Sequence, residues 1–250
     1  MRNRNLYHFL IFVLLLAGCK EADVTPQTTP DLIPDIYLTL GNPSNATADV
    51  ANANNYLLQK PQYTLSYSRN RGLPNWVSWH VNSDWLGLAD RQDDFRADNT
   101  LPADWYRVNP DAYMGSGFDR GHNCPSADRT KTEADNSATF LMTNMIPQAP
   151  DNNRTTWANL EDYTRDLVRA GNEVCVIMGN YGVGGTGSKG AALTIDAGKI
   201  TVPKQIWKVA VVLLAGENDQ DSITSTTRVI ALIRRIRRVS ILTGVSTGLW

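Results

Sequence analysis

Two stretches near the start of the globular part alternate between apolar and polar positions. Residues 63–68 (YTLSYS) and 76–81 (WVSWHV) repeat with period two, which predicts strands. Residues 140–146 (FLMTNMI) and 174–178 (VCVIM) are short apolar runs that predict buried strands, and residues 206–215 (IWKVAVVLLA) predict a longer one. Residues 155–170 carry the helical period: Trp157, Leu160, Thr164, Leu167 and Val168 form one stripe, and Gly171 stops it. Residues 179–190 are Gly-rich but lack the GKS/T ending of a phosphate loop, so they read as a flexible hairpin connection. No segment repeats.

The first nineteen residues follow a different pattern. Arg2 and Arg4 precede an almost wholly apolar stretch at 6–18, too short for an ordinary spanning helix, and Leu16-Ala17-Gly18-Cys19 follows. This is the layout of a signal peptide (1–18). Its ending resembles a bacterial lipobox, which implies cleavage before Cys19, a lipid at Cys19, and an exported chain anchored at the cell envelope, on the periplasmic face or the cell surface. Residues 19–35, with Pro26, Pro30 and Pro34, read as the lipidated cysteine and a flexible tether. The globular domain is expected over 36–250.

Composition narrows the class. Of 250 residues, 42% are apolar and 20% charged, and the net charge is −1. That is globular composition rather than the profile of a disordered chain, and it excludes a protein that holds nucleic acid by bulk positive charge. Beyond Cys19 the cysteines are Cys124 and Cys175. An exported compartment permits a disulfide between them, but spacing alone does not bring them within bonding distance, and the apolar run around Cys175 favours a small buried thiol.

The candidate chemistry lies between Arg91 and Arg165. His80 reads as a packed strand histidine. His122 sits instead in the polar cluster Gly117-Phe-Asp-Arg-Gly-His122, followed downstream by Thr143-Asn144, Asn152-Asn153-Arg154, Glu161 and Arg165. A lone histidine with amide, carboxylate and guanidinium groups suits metal-assisted hydrolysis. The imidazole takes a proton from water, an oxygen ligand holds a hard cation, and arginine neutralises developing charge. A zinc site from His122, Cys124 and Cys175 matches no closed zinc spacing.

The residues themselves carry a resemblance. Asp119-Arg120-Gly121-His122 resembles the D-R-G-H signature of the DNA/RNA non-specific endonuclease family, within the His-Me finger (ββα-metal) group. Residues 91–98 (RQDDFRAD), 124–129 (CPSADR), 143–148 (TNMIPQ) and the series Asn153, Trp157, Leu160, Glu161, Arg165 match in order, over about residues 41–231. The resemblance implies an α+β fold: a mixed, mainly antiparallel central sheet flanked by helices, containing the ββα-metal motif. It implies an Mg²⁺-dependent nuclease, with Mn²⁺ as a substitute, that cuts DNA and RNA without sequence preference to 5′-phosphate ends. By position, His122 matches the general base, Asn153 the direct metal ligand, Glu161 the residue that binds the metal's waters, and Arg91 the phosphate contact. Arg120, Asn144 and Arg165 match supporting positions. Activity is then expected to rise with pH through the His122 pKa.

Spacing adds detail. Asn153 and Glu161 are ~12 Å apart in rise and roughly 80° in rotation on a continuous helix, so Glu161 should act through water. Glu161 and Arg165 stand at i,i+4 and are expected to orient each other. Arg91, Arg96, Arg120, Arg129, Arg154 and Arg165 are expected to form a local basic cleft. No motif names a protein partner.

The C-terminus departs from the family pattern. Residues 228–238 hold five arginines and no acid. With Leu232 back-translated as CTA and read from its third base, the following codons can encode N-T-P-N-T-Q-G-V-N-P-D-W-R-E-Y-R, which looks like a family continuation. Residues from about 232 to 250 are therefore read as an out-of-frame version of that terminus. Two readings follow: an active lipid-anchored nuclease, or a catalytically impaired, truncated lipoprotein that binds nucleic acid or an envelope partner. Plasmid and RNA digestion separates them.

Overall fold

The computed structural model describes residues 35–216 and 223–237. The signal peptide, Cys19, almost all of the tether and the tail from 238 onward lie outside the described residues.

In chain order the strands begin with β1 (Tyr56–Gln59), β2 (Thr64–Ser68) and β3 (Leu73–Val81). Next come β4 (Asp119–His122), helix α1 (Glu133–Ala138), β5 (Met145–Gln148) and helix α2 (Ala158–Arg169). The second half holds β6 (Asn172–Tyr181), β7 (Gly185–Gly187), β8 (Gly190–Ala192), β9 (Thr194–Ile195), β10 (Ile200–Thr201), β11 (Gln205–Leu214) and β12 (Arg228–Arg235). Six strands form the central sheet in the order β1-β2-β3-β6-β11-β12. Every neighbouring pair in it is antiparallel. With α2 packed on β6 this is the expected α+β architecture.

The strands follow the period-two pattern. Val77↔Met178, Trp79↔Val176 and Val81↔Val174 are opposite one another across β3 and β6 and share the face that carries the core. Trp79 and Trp157 are among the largest fully buried side chains. His80, on the other face, is buried and pairs with Glu173 at 3.0 Å, as a packed strand histidine. The Gly-rich segment forms the β7–β8 hairpin.

Two expectations need correction. The apolar run 140–146 is not one strand. Arg96 and Leu141 form an isolated bridge, Met142–Asn144 makes a 3-10 turn, and only then does β5 begin. The Asn144 side chain forces the turn: its amide donates to the carbonyls of Cys124 and Thr139, each at 2.9 Å. The helix expected from Thr155 is split as well, because Asn152–Trp157 form a π-helical turn before α2. Cys124 and Cys175 are both buried and are not joined to each other, in keeping with the buried-thiol reading.

Candidate active site

The site grows from a ββα unit. Strands β4 and β5 pair Asp119↔Gln148 through His122↔Met145, and the chain then enters the π-helical turn and α2. Alternation along β4 sends Arg120 and His122 to one face and Gly121 to the other. A π-turn widens the helix locally and is frequent at functional sites; here it carries Asn153 and Arg154.

His122 is mostly enclosed, with Phe95 and Phe140 edge-on to its ring at 5.6 and 4.9 Å. Each phenyl ring also carries an arginine. The Arg120 guanidinium stands 4.0 Å from the Phe95 centroid, and that of Arg91 stands 4.8 Å from the Phe140 centroid. Burial lowers the His122 pKa to about 3, and the Arg91 and Arg120 charges add to the effect. The imidazole is therefore neutral at physiological pH. Its Nε2 is sealed from solvent with no hydrogen-bond partner among the described residues.

Asp119 organises the other side. Its Oδ2 accepts from Asn153 Nδ2 at 3.0 Å and from Arg154 Nε at 2.9 Å, and its Oδ1 accepts from Arg154 Nη2 at 2.7 Å. With the Asn153 NH₂ committed to a carboxylate, its Oδ1 is the atom left to meet a cation. Arg91 is steadied by Ser126 Oγ at 2.6 Å and by Asp93 at 2.7 Å.

Arg91, Arg120, His122, Asn153 and Glu161 line one pocket of about 200 Å³. Arg91, Arg120 and Asn153 also line an adjoining cavity of about 340 Å³, together with Phe95, Tyr113 and Phe118. Among the described residues no three His, Cys, Asp or Glu side chains gather as a metal cage, so His122, Cys124 and Cys175 make no zinc site.

Arg165 and Asn144 do not line this pocket. Glu161 and Arg165 do not pair. Glu161 Oε1 accepts from Lys208 Nζ at 3.0 Å, whereas Arg165 donates to Asp128 at 2.8 Å and to Asp162 at 2.5 Å. Glu161 is held from β11, and Arg165 is held by Asp128 from outside the helix and by Asp162 one turn back on α2, which leaves no i,i+4 bond between them. Burial raises the Glu161 pKa, and the Lys208 charge opposes that rise. Asn144 is fully buried and cannot touch a substrate; it holds the loop after His122, accepting from the Cys124 amide at 3.0 Å.

The six-arginine cleft is likewise smaller than expected. Arg129 is completely buried, between Trp85 and Tyr37, and donates to the Gln62 carbonyl. Arg165 is buried, and Arg96 is turned toward Asp94 and the Ser137 carbonyl. Of the six, Arg91 and Arg120 line the pocket, and Arg154 lies exposed beside it. Reading by residue type gave no role to Asp119, Asp128 or Lys208. Asp119 lies within the D-R-G-H motif, and Lys208 is the one charge inside an apolar strand pattern.

Comparison with known proteins identifies the family. The family model for DNA/RNA non-specific endonucleases matches residues 41–241. A nuclease of Nostoc sp. is 53% identical over 222 residues, covering 88% of this chain and 78% of its own length. The human mitochondrial endonuclease G is 34% identical over 167 residues, 64% of this chain and 56% of that protein. The fold matches a crystal structure of an EndoG/EndoGI complex with a TM-score of 0.66 at 24% identity, covering 86% of this chain and 84% of the other. The reading as a binding lipoprotein without catalysis finds no support among these relatives. The chain belongs to the DNA/RNA non-specific endonuclease family and is a nuclease with the ββα-metal fold.

Proposed function

We propose that the enzyme hydrolyses phosphodiester bonds in DNA and RNA to 5′-phosphate ends, using a hydrated Mg²⁺ at Asn153, with Mn²⁺ as a substitute. The observation that carries this reading is the shared pocket: Arg91, Arg120, His122, Asn153 and Glu161 come from distant parts of the sequence to line one cavity. The donor set fits a hard cation. Asn153 offers an amide oxygen whose own NH₂ is anchored on Asp119, Glu161 offers a carboxylate, and such an ion keeps several waters. When bound, Mg²⁺ supplies positive charge for the phosphate and the leaving oxygen.

The protein groups divide the rest of the work. Neutral His122 accepts a proton from the attacking water; with Nε2 sealed off, Nδ1 is the nitrogen left for exchange. Arg91 and Arg120 face the phosphate oxygens as charge accumulates. Their stacking on Phe140 and Phe95 fixes both guanidiniums before substrate arrives. Contacts aimed at phosphate carry no sequence information, which suits non-specific cleavage.

Supercoiled plasmid and RNA are to be digested with Mg²⁺, with and without excess chelator, and the new ends tested for 5′-phosphate. Cleavage that survives the chelator would overturn the metal reading. His122→Ala should lose ~10²–10⁴-fold in rate while remaining folded; near-wild-type turnover would remove His122 from the mechanism. The proposal extends to location: a lipid on Cys19 would hold the enzyme at the bacterial envelope. Fatty-acid labelling that persists in Cys19→Ser would count against it.

A further inference from the structure

Lys208 is the residue that the apolar pattern of its own strand does not explain. It lies in mid-β11 on the face that carries Ile206, Ala210 and Val212. Its cross-strand partners are Met178 on β6 and Leu232 on β12, and Met178 in turn faces Val77 on β3. Opposite side chains share a face, so Lys208 points into the core, with its side chain 2% exposed. An ammonium group placed there is unfavourable unless something replaces its water. Two indoles and one carboxylate do so. Nζ lies 5.4 Å from the Trp79 ring centre, 5.0 Å from that of Trp157, and 3.0 Å from Glu161 Oε1. Glu161 forms part of the active-pocket wall; Lys208 is not one of its lining residues.

We infer that Lys208 is a positioning residue for the cation site, fixing the Glu161 carboxylate from the core side so that its Oε2 faces the waters of a bound cation. Oε2 accepts no hydrogen bond among the described residues, whereas Oε1 is occupied by the ammonium. The two tryptophans leave that ammonium no other charged partner within bonding distance among the described residues. Space filling alone would be met by methionine or leucine; a charge aimed at one carboxylate would not. The inference rests on the reading of Glu161 as the outer contact of the cation.

The test is Mn²⁺ binding to the full-length protein without nucleic acid, read by electron paramagnetic resonance, with a thermal melt of each variant. Lys208→Met keeps the unbranched stem and removes the charge; it should weaken Mn²⁺ binding ~10–100-fold, the usual effect of losing an outer partner of a metal site. Lys208→Arg should bind close to wild type. Glu161→Gln should also weaken binding, and adding Lys208→Met to it should cost little more, because the lysine acts through that carboxylate.

Wild-type Mn²⁺ affinity in Lys208→Met would overturn the inference. So would an equal loss from Lys208→Met in the wild-type and Glu161→Gln backgrounds, or a loss in Lys208→Arg matching that in Lys208→Met. If Lys208→Met fails to fold, the double variant decides: it strands no charge and should melt cooperatively, and its failure to do so would make Lys208 a purely structural residue. Unchanged Mn²⁺ binding in Glu161→Gln would instead refute the reading of Glu161, and the inference would fall with it.

Discussion

Replacing Gly121 by alanine puts a methyl group where another side chain already stands. An ideal Cβ at this position lies 2.4 Å from Gln148 Cγ and 2.6 Å from both Cδ and Nε2. Gln148 has little room to retreat, because it is fully buried and accepts from Asn152 Nδ2 at 3.3 Å. Strands β4 and β5 must therefore shift apart. Overpacking of this kind costs ~1–3 kcal/mol. At roughly 2–4 °C per kcal/mol for a domain of this size, the melting temperature should fall by about 2–12 °C. Activity should suffer more, because Arg120 and His122 flank the new methyl group, and a displacement of ~1 Å at a reacting group can cost ~10²-fold. Plasmid-cleavage rates and thermal melts on the same preparations measure both effects. Gln148→Ala removes all three clashing atoms, so the double variant Gly121→Ala/Gln148→Ala should regain activity relative to Gly121→Ala. A Gly121→Ala protein with wild-type melting and wild-type rate would refute the steric argument, as would a double variant no better than the single one.

Because His122 titrates at about 3 in the folded chain, kcat/KM should show no tenfold step near the ordinary histidine value of about 6.5; such a step would place the imidazole in water. The unfolded chain binds that proton near 6.5 and the folded one does not, so the stability from neutral His122 is present above about 6.5 and is lost as pH falls toward about 3. Denaturant midpoints across this range should fall in wild type and fall less in His122→Phe. Asp119→Ala frees Asn153 and should weaken Mn²⁺ binding ~10–100-fold, with a change of ~1 kcal/mol or less from the exposed Arg154 pair; unaltered Mn²⁺ titration would show that Asn153 needs no anchor. Asp128→Ala strands the buried Arg165 guanidinium and removes the acceptor of Trp79 Nε1. Urea unfolding should register a loss of ~3–5 kcal/mol, and a loss below ~1 kcal/mol would mean that Asp162 alone suffices for Arg165.

Much of the fold was legible because local periodicity records burial directly. The alternation at 63–68 and 76–81 and the apolar runs at 174–178 and 206–215 became β2, β3, β6 and β11. The stripe from Trp157 to Val168 became the inward side of α2 and its entry. The run 140–146 misled because apolar character marks burial, not conformation; a buried asparagine with three backbone bonds turned the chain there. The arginines misled in a related way. A positive charge reads as solvent-facing, yet Arg129 is enclosed by two aromatic rings and a carbonyl.

The chemical vocabulary of the site is legible along the chain: one imidazole, one amide, one carboxylate and two guanidiniums, each in a short motif that survives reading in one dimension. Which of these groups meet is settled by packing between distant elements. Glu161 takes its partner from β11, 47 residues away, and Arg165 takes one of its two from 37 residues away. A neighbour four positions along the helix lost to both. Enclosure in the core strengthens an ion pair that water would screen, and no spacing rule reveals which distant strand will supply it.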